Sequence, residues 1–120
     1  AMAKFLVTDP ASEPVARFAI REQMMPTPAF EHLYAGLFAP MHERLCRLWA
    51  QATGEHAEAP ATLLRVFTLI GQIMFFRLAR HAVFRRMQWH DSDAEMHLSE
   101  ISSVVESNIR TLIKEARRNV

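Results

Sequence analysis

"LIGQIMFFRLAR", residues 69–80, decides how this chain must fold. Wound at 100° per residue, it is a helix with two apolar arcs. Leu69, Ile73 and Phe76 lie on one side. Gly71, Met74, Phe75 and Leu78 lie roughly opposite, and Phe67 and Ala82 extend that second arc. Gln72 sits between Phe75 and Phe76, while Arg77 and Arg80 flank Ile73. A helix with two apolar faces needs two partners. One is the chain's own core; the other is a central place in a bundle, a second subunit or a ligand. Gly71 on the second arc permits close backbone approach, which suits a helix–helix contact.

The rest of the chain also reads as helices. Pro60 opens the helix that carries the quoted stretch, which is predicted to run to about Met87. Upstream, Thr27 is the expected N-cap with Pro28 at the first helical position. From there Phe30, Leu33, Tyr34, Leu37, Phe38 and Met41, then Leu45, Leu48, Trp49 and Ala52, recur at helical spacing. Pro40 inside this run predicts a kink, and Gly54 suits the C-terminal cap. A shorter helix is expected from Ser12 to Met24, stopped by "MMPTP". Residues 2–8 read as the end of a further helix, closed by a turn at Asp9 and Pro10. Near the C-terminus, Ser92 and Glu95 fit a capping box. They open a last helix to about Arg117, with the stripe Leu98, Ile101, Val105, Asn108, Leu112. No segment alternates like a strand. The fold class is therefore all-α: an antiparallel bundle of four to five helices, residues 1–120 forming one domain.

Composition narrows the function. Half of the 120 residues are hydrophobic, 22% are charged and the formal net charge is +1. That is an ordinary globular balance, with no basic field to attract nucleic acid or an anionic membrane. The apolar run from Val66 to Phe76 is interrupted by Thr68, Gly71 and Gln72 and falls short of the roughly 20 residues of a membrane span. The lone Cys46 excludes an internal disulfide and makes a reducing cytoplasm the simplest compartment. None of the six histidines pairs at metal-ligand spacing and the three glycines are isolated, so neither metal nor phosphate-binding cofactor is expected. His42 stands four residues before Cys46, a dyad on paper with no third group to orient it. A helical enzyme built on that pair is the weakest of the readings; burial of Cys46 in the core is the stronger one.

Two segments together resemble a known family. "REQMMPTPAFEHLY" (21–34) and "GQIMFFRLARHAVFRRMQW" (71–89) are similar to the C-terminal domain of TetR-type transcriptional regulators, in the branch with an "REQ…P" turn and a "GQ…FR…R" helix. The resemblance spans about residues 2–118. It implies the all-helical domain of a transcriptional repressor that binds a small effector and dimerises, with the last two long helices forming a four-helix bundle across the dimer. It also implies a preceding helix-turn-helix domain for operator DNA. No such motif is contained in this sequence, which therefore reads as the regulatory part, residues 1–9 being the remnant of a linking helix. The expected partners are a second copy, an apolar or amphipathic small molecule, and operator DNA only through the N-terminal domain.

On this reading Phe30, Phe38 and Phe76 wall the effector site, Tyr34 and Gln72 orient the ligand, Arg80 meets an acidic or carbonyl group, and Met24 and Met25 form a lid. The expected dimer interface takes Phe67, Gly71, Phe75, Leu78 and Ala82 from one helix, and Ile101, Val105, Asn108 and Leu112 from the other. A polar Asn108 in an apolar seam specifies pairing at some cost in stability. The competing reading is a dimerisation module without a ligand.

Overall fold

A computed structural model describes residues 13–119. The expected helix end at 2–8 and the turn at Asp9 and Pro10 lie outside them. In chain order come α1 (Glu13–Met24), α2 (Ala29–Leu33), a π-helical turn (Tyr34–Phe38), α3 (Ala39–Thr53), α4 (Pro60–Leu78), α5 (Arg80–Met87), a 3-10 turn (Asp91–Asp93) and α6 (Ala94–Arg118). There is no strand among the described residues, and the fold is all-α.

Local chemistry sets most of the boundaries. The Thr27 hydroxyl accepts the Ala29 N–H at 3.2 Å, and Pro28 already has helical angles (φ −54°, ψ −24°). Gly54 takes the left-handed conformation (φ 84°) that ends α3, its N–H returning to the Ala50 carbonyl. Ala59 is extended before Pro60, as the proline ring requires. The end of α5 is a Schellman closure built without glycine. Gln88 sits at φ 61°, its N–H bonds the Arg85 carbonyl, and the Trp89 N–H bonds the Phe84 carbonyl at 2.9 Å. The Trp89 ring then meets the Phe84 ring edge-on at 5.5 Å, the apolar contact that accompanies this closure.

Three expectations need correction. Residues 28–53 are not one kinked α-helix. Proline cannot donate an N–H and its ring crowds the preceding turn, and the chain answers with five π-helical residues, the Ala39 N–H reaching back to the Tyr34 carbonyl. The helix predicted over 60–87 is broken at Ala79 (φ −104°, ψ 24°), with neither proline nor glycine at the break. The arginines on its two sides are drawn apart, Arg77 to Glu13 and Arg80 to Asp91. The capping box at Ser92 is also displaced: Asp93 holds the cap position of α6 and makes no side-chain cap bond.

Helix α3 packs on α4 and α6, and α4 packs on α6. The short loop 54–59 makes α3 and α4 antiparallel neighbours. Cys46 and Trp49 from α3, Val66 from α4 and Ala116 from α6 form the buried centre, with Leu45, Leu63, Ile70 and Ile113 against it. Arg117 ties α6 to the end of α3, its Nε donating to the Ala52 carbonyl at 2.7 Å. The slab is only 20 Å thick, two layers of helices of about 10 Å each.

One buried carboxylate joins α1 to α2. Glu22, fully buried, accepts the Thr27 N–H at 2.9 Å and the Thr27 hydroxyl. Those two bonds hold its carboxyl below the usual carboxylate range, against the opposing effect of burial. The "REQ…P" turn thus has a physical reason: the glutamate closes the α1–α2 corner. A depressed pKa stabilises the fold above the unfolded carboxylate pKa, and that contribution is lost as pH falls through the lower folded value. Glu22→Gln is expected to lower the thermal midpoint at pH 7. The gap from the unaltered chain should close as the pH falls below the carboxylate range; a gap independent of pH would refute the assignment.

Candidate functional site

Inside the slab lies an apolar cavity of about 610 Å³, within the range of small-molecule sites. Its walls come from five elements of the chain. Val15, Ala16 and Ala19 face it from α1, and Leu37 and Phe38 from the π-helical turn. Met41, Leu45, Leu48, Trp49 and Ala52 continue along α3, and Ile109 and Ile113 close it from α6. Helix α4 supplies Val66, Leu69, Ile70, Ile73 and Met74. Every lining residue among those described is apolar. The one side-chain N–H among them, on Trp49, is already committed to Glu55 at 2.8 Å. Val15, Leu37 and Leu48 are each about half exposed, so they form the rim.

Glu55 anchors this wall. Besides Trp49 it accepts two bonds from Arg65, at 2.7 and 2.6 Å. Its carboxyl is held below the usual range, first by the Trp49 bond and then by Arg65. At the α1–α4 edge, Arg77, one turn beyond Ile73 and Met74, is nearly buried and pairs with the half-exposed Glu13. Glu13 also holds Arg17 at 3.0 Å.

The second feature lies on the outside of α4 and α6. A shallow groove of about 270 Å³ is lined by Gln72, Phe75, Phe76, Val104, Val105 and Asn108. Asn108 donates to the Gln72 side-chain oxygen at 3.2 Å across it. Around this pair Leu64, Phe67, Phe75, Leu78 and Val104 are all more than half exposed. The first four recur at helical spacing along one side of α4. A Cβ added at Gly71 would meet nothing of this chain within 4 Å. Helix α4 has 19 residues, with a mean hydropathy of 1.5 over its most apolar 18-residue window, long and apolar enough to cross a membrane, unlike the shorter run 66–76 taken alone.

The residues expected to hold a ligand are scattered. Only Phe38 lines the cavity. Phe30 and Tyr34 stack on each other at 6.0 Å, Tyr34 half exposed and neither in the wall. Met24 and Met25 are exposed at the α1–α2 turn rather than closed over a site. Gln72 and Phe76 border the outer groove instead. Arg80 reaches Asp91 at 3.2 Å and lies over the Phe84 ring at 4.3 Å. Met74, on the same arc of the wheel as Gly71, Phe75 and Leu78, lines the cavity. The stripe from Met41 to Ala52, which its spacing marks only as core, lines the cavity.

Of the residues expected at a dimer seam, Phe67, Gly71, Phe75, Leu78, Ala82, Asn108 and Leu112 lie at the surface. Ile101 and Val105 are already buried by the chain's own packing, with 8% exposure each. Val105 still borders the outer groove, whereas Ile101 does not line it. The spacing of α6 did not distinguish them from Val104, which is 60% exposed one residue away.

Cys46 is no nucleophile. It is fully buried, burial pushes its thiol up, and His42 sits 3.8 Å away with both ring nitrogens equally distant from the sulfur. The His42 Nε2 is engaged with the Leu63 carbonyl at 3.1 Å and its ring stacks on Phe67.

The described residues thus form an all-helical slab with an apolar cavity inside and an exposed apolar face on two long helices. Comparison with known proteins makes the class specific. Residues 1–116 match the model of the family described as the C-terminal domain of the HTH-type transcriptional dual regulator CecR, and the chain belongs to that family, a TetR-type regulatory domain. It is 33% identical over 90 residues, 75% of its length, to the HTH-type transcriptional dual regulator CecR of Shigella flexneri. The chain spans about 40% of the length of that relative.

The buried groups can be tested directly. Cys46 is expected to resist alkylation in the folded chain and to react only on unfolding; rapid native-state labelling would contradict its placement. At the α1–α4 edge, Glu13→Gln strands a nearly buried guanidinium, whereas Arg77→Met leaves a carboxylate that water can reach. Chemical denaturation should show Glu13→Gln costing about 1–3 kcal/mol and Arg77→Met less.

Proposed function

We propose that this chain is the effector-sensing and dimerisation part of a TetR-type transcription regulator acting in the cytoplasm. The apolar cavity between α1, α3, α4 and α6 is the effector site, and its occupant is a small apolar or amphipathic molecule. The observation that carries this reading is the cavity itself. Its volume suits a small molecule and its walls come from every long helix, so filling it bears on how those helices sit together. The free face of α4 and α6 is the dimer seam. Leu64, Phe67, Gly71, Phe75 and Leu78 supply one helix of it, and Gly71 has space for a close approach that this chain does not fill. The Asn108–Gln72 pair sits within that seam.

In the whole regulator an N-terminal helix-turn-helix domain would bind operator DNA. The effector would act by its differential affinity for two arrangements of the dimer, only one of which matches the half-site spacing. The relative is named a dual regulator, so regulation in general, rather than repression alone, is the reading carried over.

A thermal-shift panel of apolar and amphipathic compounds tests the effector site. A true ligand at a hundred times its Kd stabilises by about 2.7 kcal/mol, a rise of several degrees. No stabilisation by any compound would favour a dimerisation module without a ligand. Sedimentation equilibrium tests the seam: the unaltered chain should weigh about twice 13.8 kDa and Phe75→Glu half of that, with helix content unchanged. A monomeric unaltered chain would overturn the dimer.

A further inference from the structure

We infer that the cavity takes a neutral, hydrocarbon-like molecule of about 20–25 non-hydrogen atoms, held without a hydrogen bond to any described wall side chain. This rests on the reading of the cavity as the effector site, and it narrows that reading to one chemical class.

The size follows from the volume. The cavity of about 610 Å³ is roughly four times the 150 Å³ apolar cavity that accommodates the six carbons of benzene. The class follows from the walls. All the described lining residues are apolar, from Val15 at the rim to Ile113 at the inner end. The indole N–H of Trp49 faces the wrong way for a ligand, since Glu55 accepts it at 2.8 Å. Arg77, the cation that follows Ile73 and Met74 on α4, is neutralised by Glu13. A carboxylate or ammonium drawn in among these walls would shed its water and find no counter-charge among the described lining residues. A buried hydroxyl would lose its hydrogen bonds, a smaller penalty. Discrimination therefore comes from what the walls withhold. Met41 and Met74 add flexible, polarisable surface that adapts to differently shaped hydrocarbons. This also sets aside the polar anchors expected from the sequence. Tyr34 and Arg80 do not line the cavity, and Gln72 borders the outer groove.

The chain contains two tryptophans, so Trp89→Phe leaves Trp49, in the cavity wall, as the single donor for energy transfer to a pyrene. That variant is titrated with pyrene, 1-pyrenemethanol and 1-pyrenecarboxylate at pH 7. Pyrene is expected to bind, pyrenemethanol about ten-fold more weakly, and the carboxylate at least about a hundred-fold more weakly. Ala19→Phe, which places a ring in the cavity, should abolish transfer while circular dichroism shows the helices intact. Met74→Gln should narrow the gap between pyrene and pyrenemethanol. Carboxylate binding as tight as pyrene, or pyrene binding undisturbed by Ala19→Phe, overturns the inferred class. If no pyrene binds but the wider panel contains a stabilising compound, the class is wrong and the effector site stands. If neither yields a ligand, both fall.

Discussion

Glu55 bridges Trp49 on α3 and Arg65 on α4, and the rest of the structure depends on that bridge. It fixes an indole that is at once the centre of the core and a wall of the cavity. A tryptophan this deeply buried must place its N–H, and the carboxylate in the loop after α3 receives it. Turning the polar edge of the ring toward Glu55 leaves its apolar faces for Val66 and for the cavity. The carboxylate is in turn held ionised by the bonds it accepts. A polar network at one edge thus permits an apolar interior free of unsatisfied groups; among the described residues no buried side-chain nitrogen or oxygen lacks a partner.

The same economy recurs at the other corners. Glu22 satisfies the turn between α1 and α2, and Arg77 and Glu13 join α1 to α4. Each of these contacts fixes how α1 meets its neighbours, and the Arg77–Glu13 pair joins two helices that both line the cavity. The buried centre is small, four residues with a partly buried shell, and the slab is two helices thick. Much apolar surface therefore remains on the cavity side and on the outer face of α4. A domain with so little sealed core is suited to partners that complete it.

Much of the fold was legible in the sequence because its causes are local. Thr27 and Pro28, Gly54 and Pro60 act through their own backbone geometry, and the periodic stripe from Phe30 to Ala52 needs only one helix to be seen. The membership of the family was legible too, in two segments whose residues have structural work: Glu22 closes a corner, and the α4 stretch faces two ways. The individual site residues were not. A helical wheel gives angles, but a side chain's role depends on which neighbour lies at that angle. Phe76 and Gln72 were placed toward a pocket and lie in the outer groove. Met74 shares an arc of the wheel with Gly71, Phe75 and Leu78, yet it lines the cavity. Tyr34 and Arg80 were chosen as polar anchors because they stand beside apolar residues in the chain, yet one is half exposed and the other is engaged with Asp91 and Phe84.

By itself the sequence determined that this chain is helical, where most helices begin and end, and that the helix around "LIGQIMFFRLAR" carries more apolar surface than one partner covers. These follow from bonding within a few residues and from the 3.6-residue period. Only the tertiary structure decided that α4 breaks at Ala79, that the run before Pro40 relaxes into a π-helical turn, and which arc of α4 faces the cavity. Those outcomes turn on contacts between residues far apart in the chain, such as Glu13 with Arg77 and Gln72 with Asn108. No local pattern encodes the distance at which such partners meet.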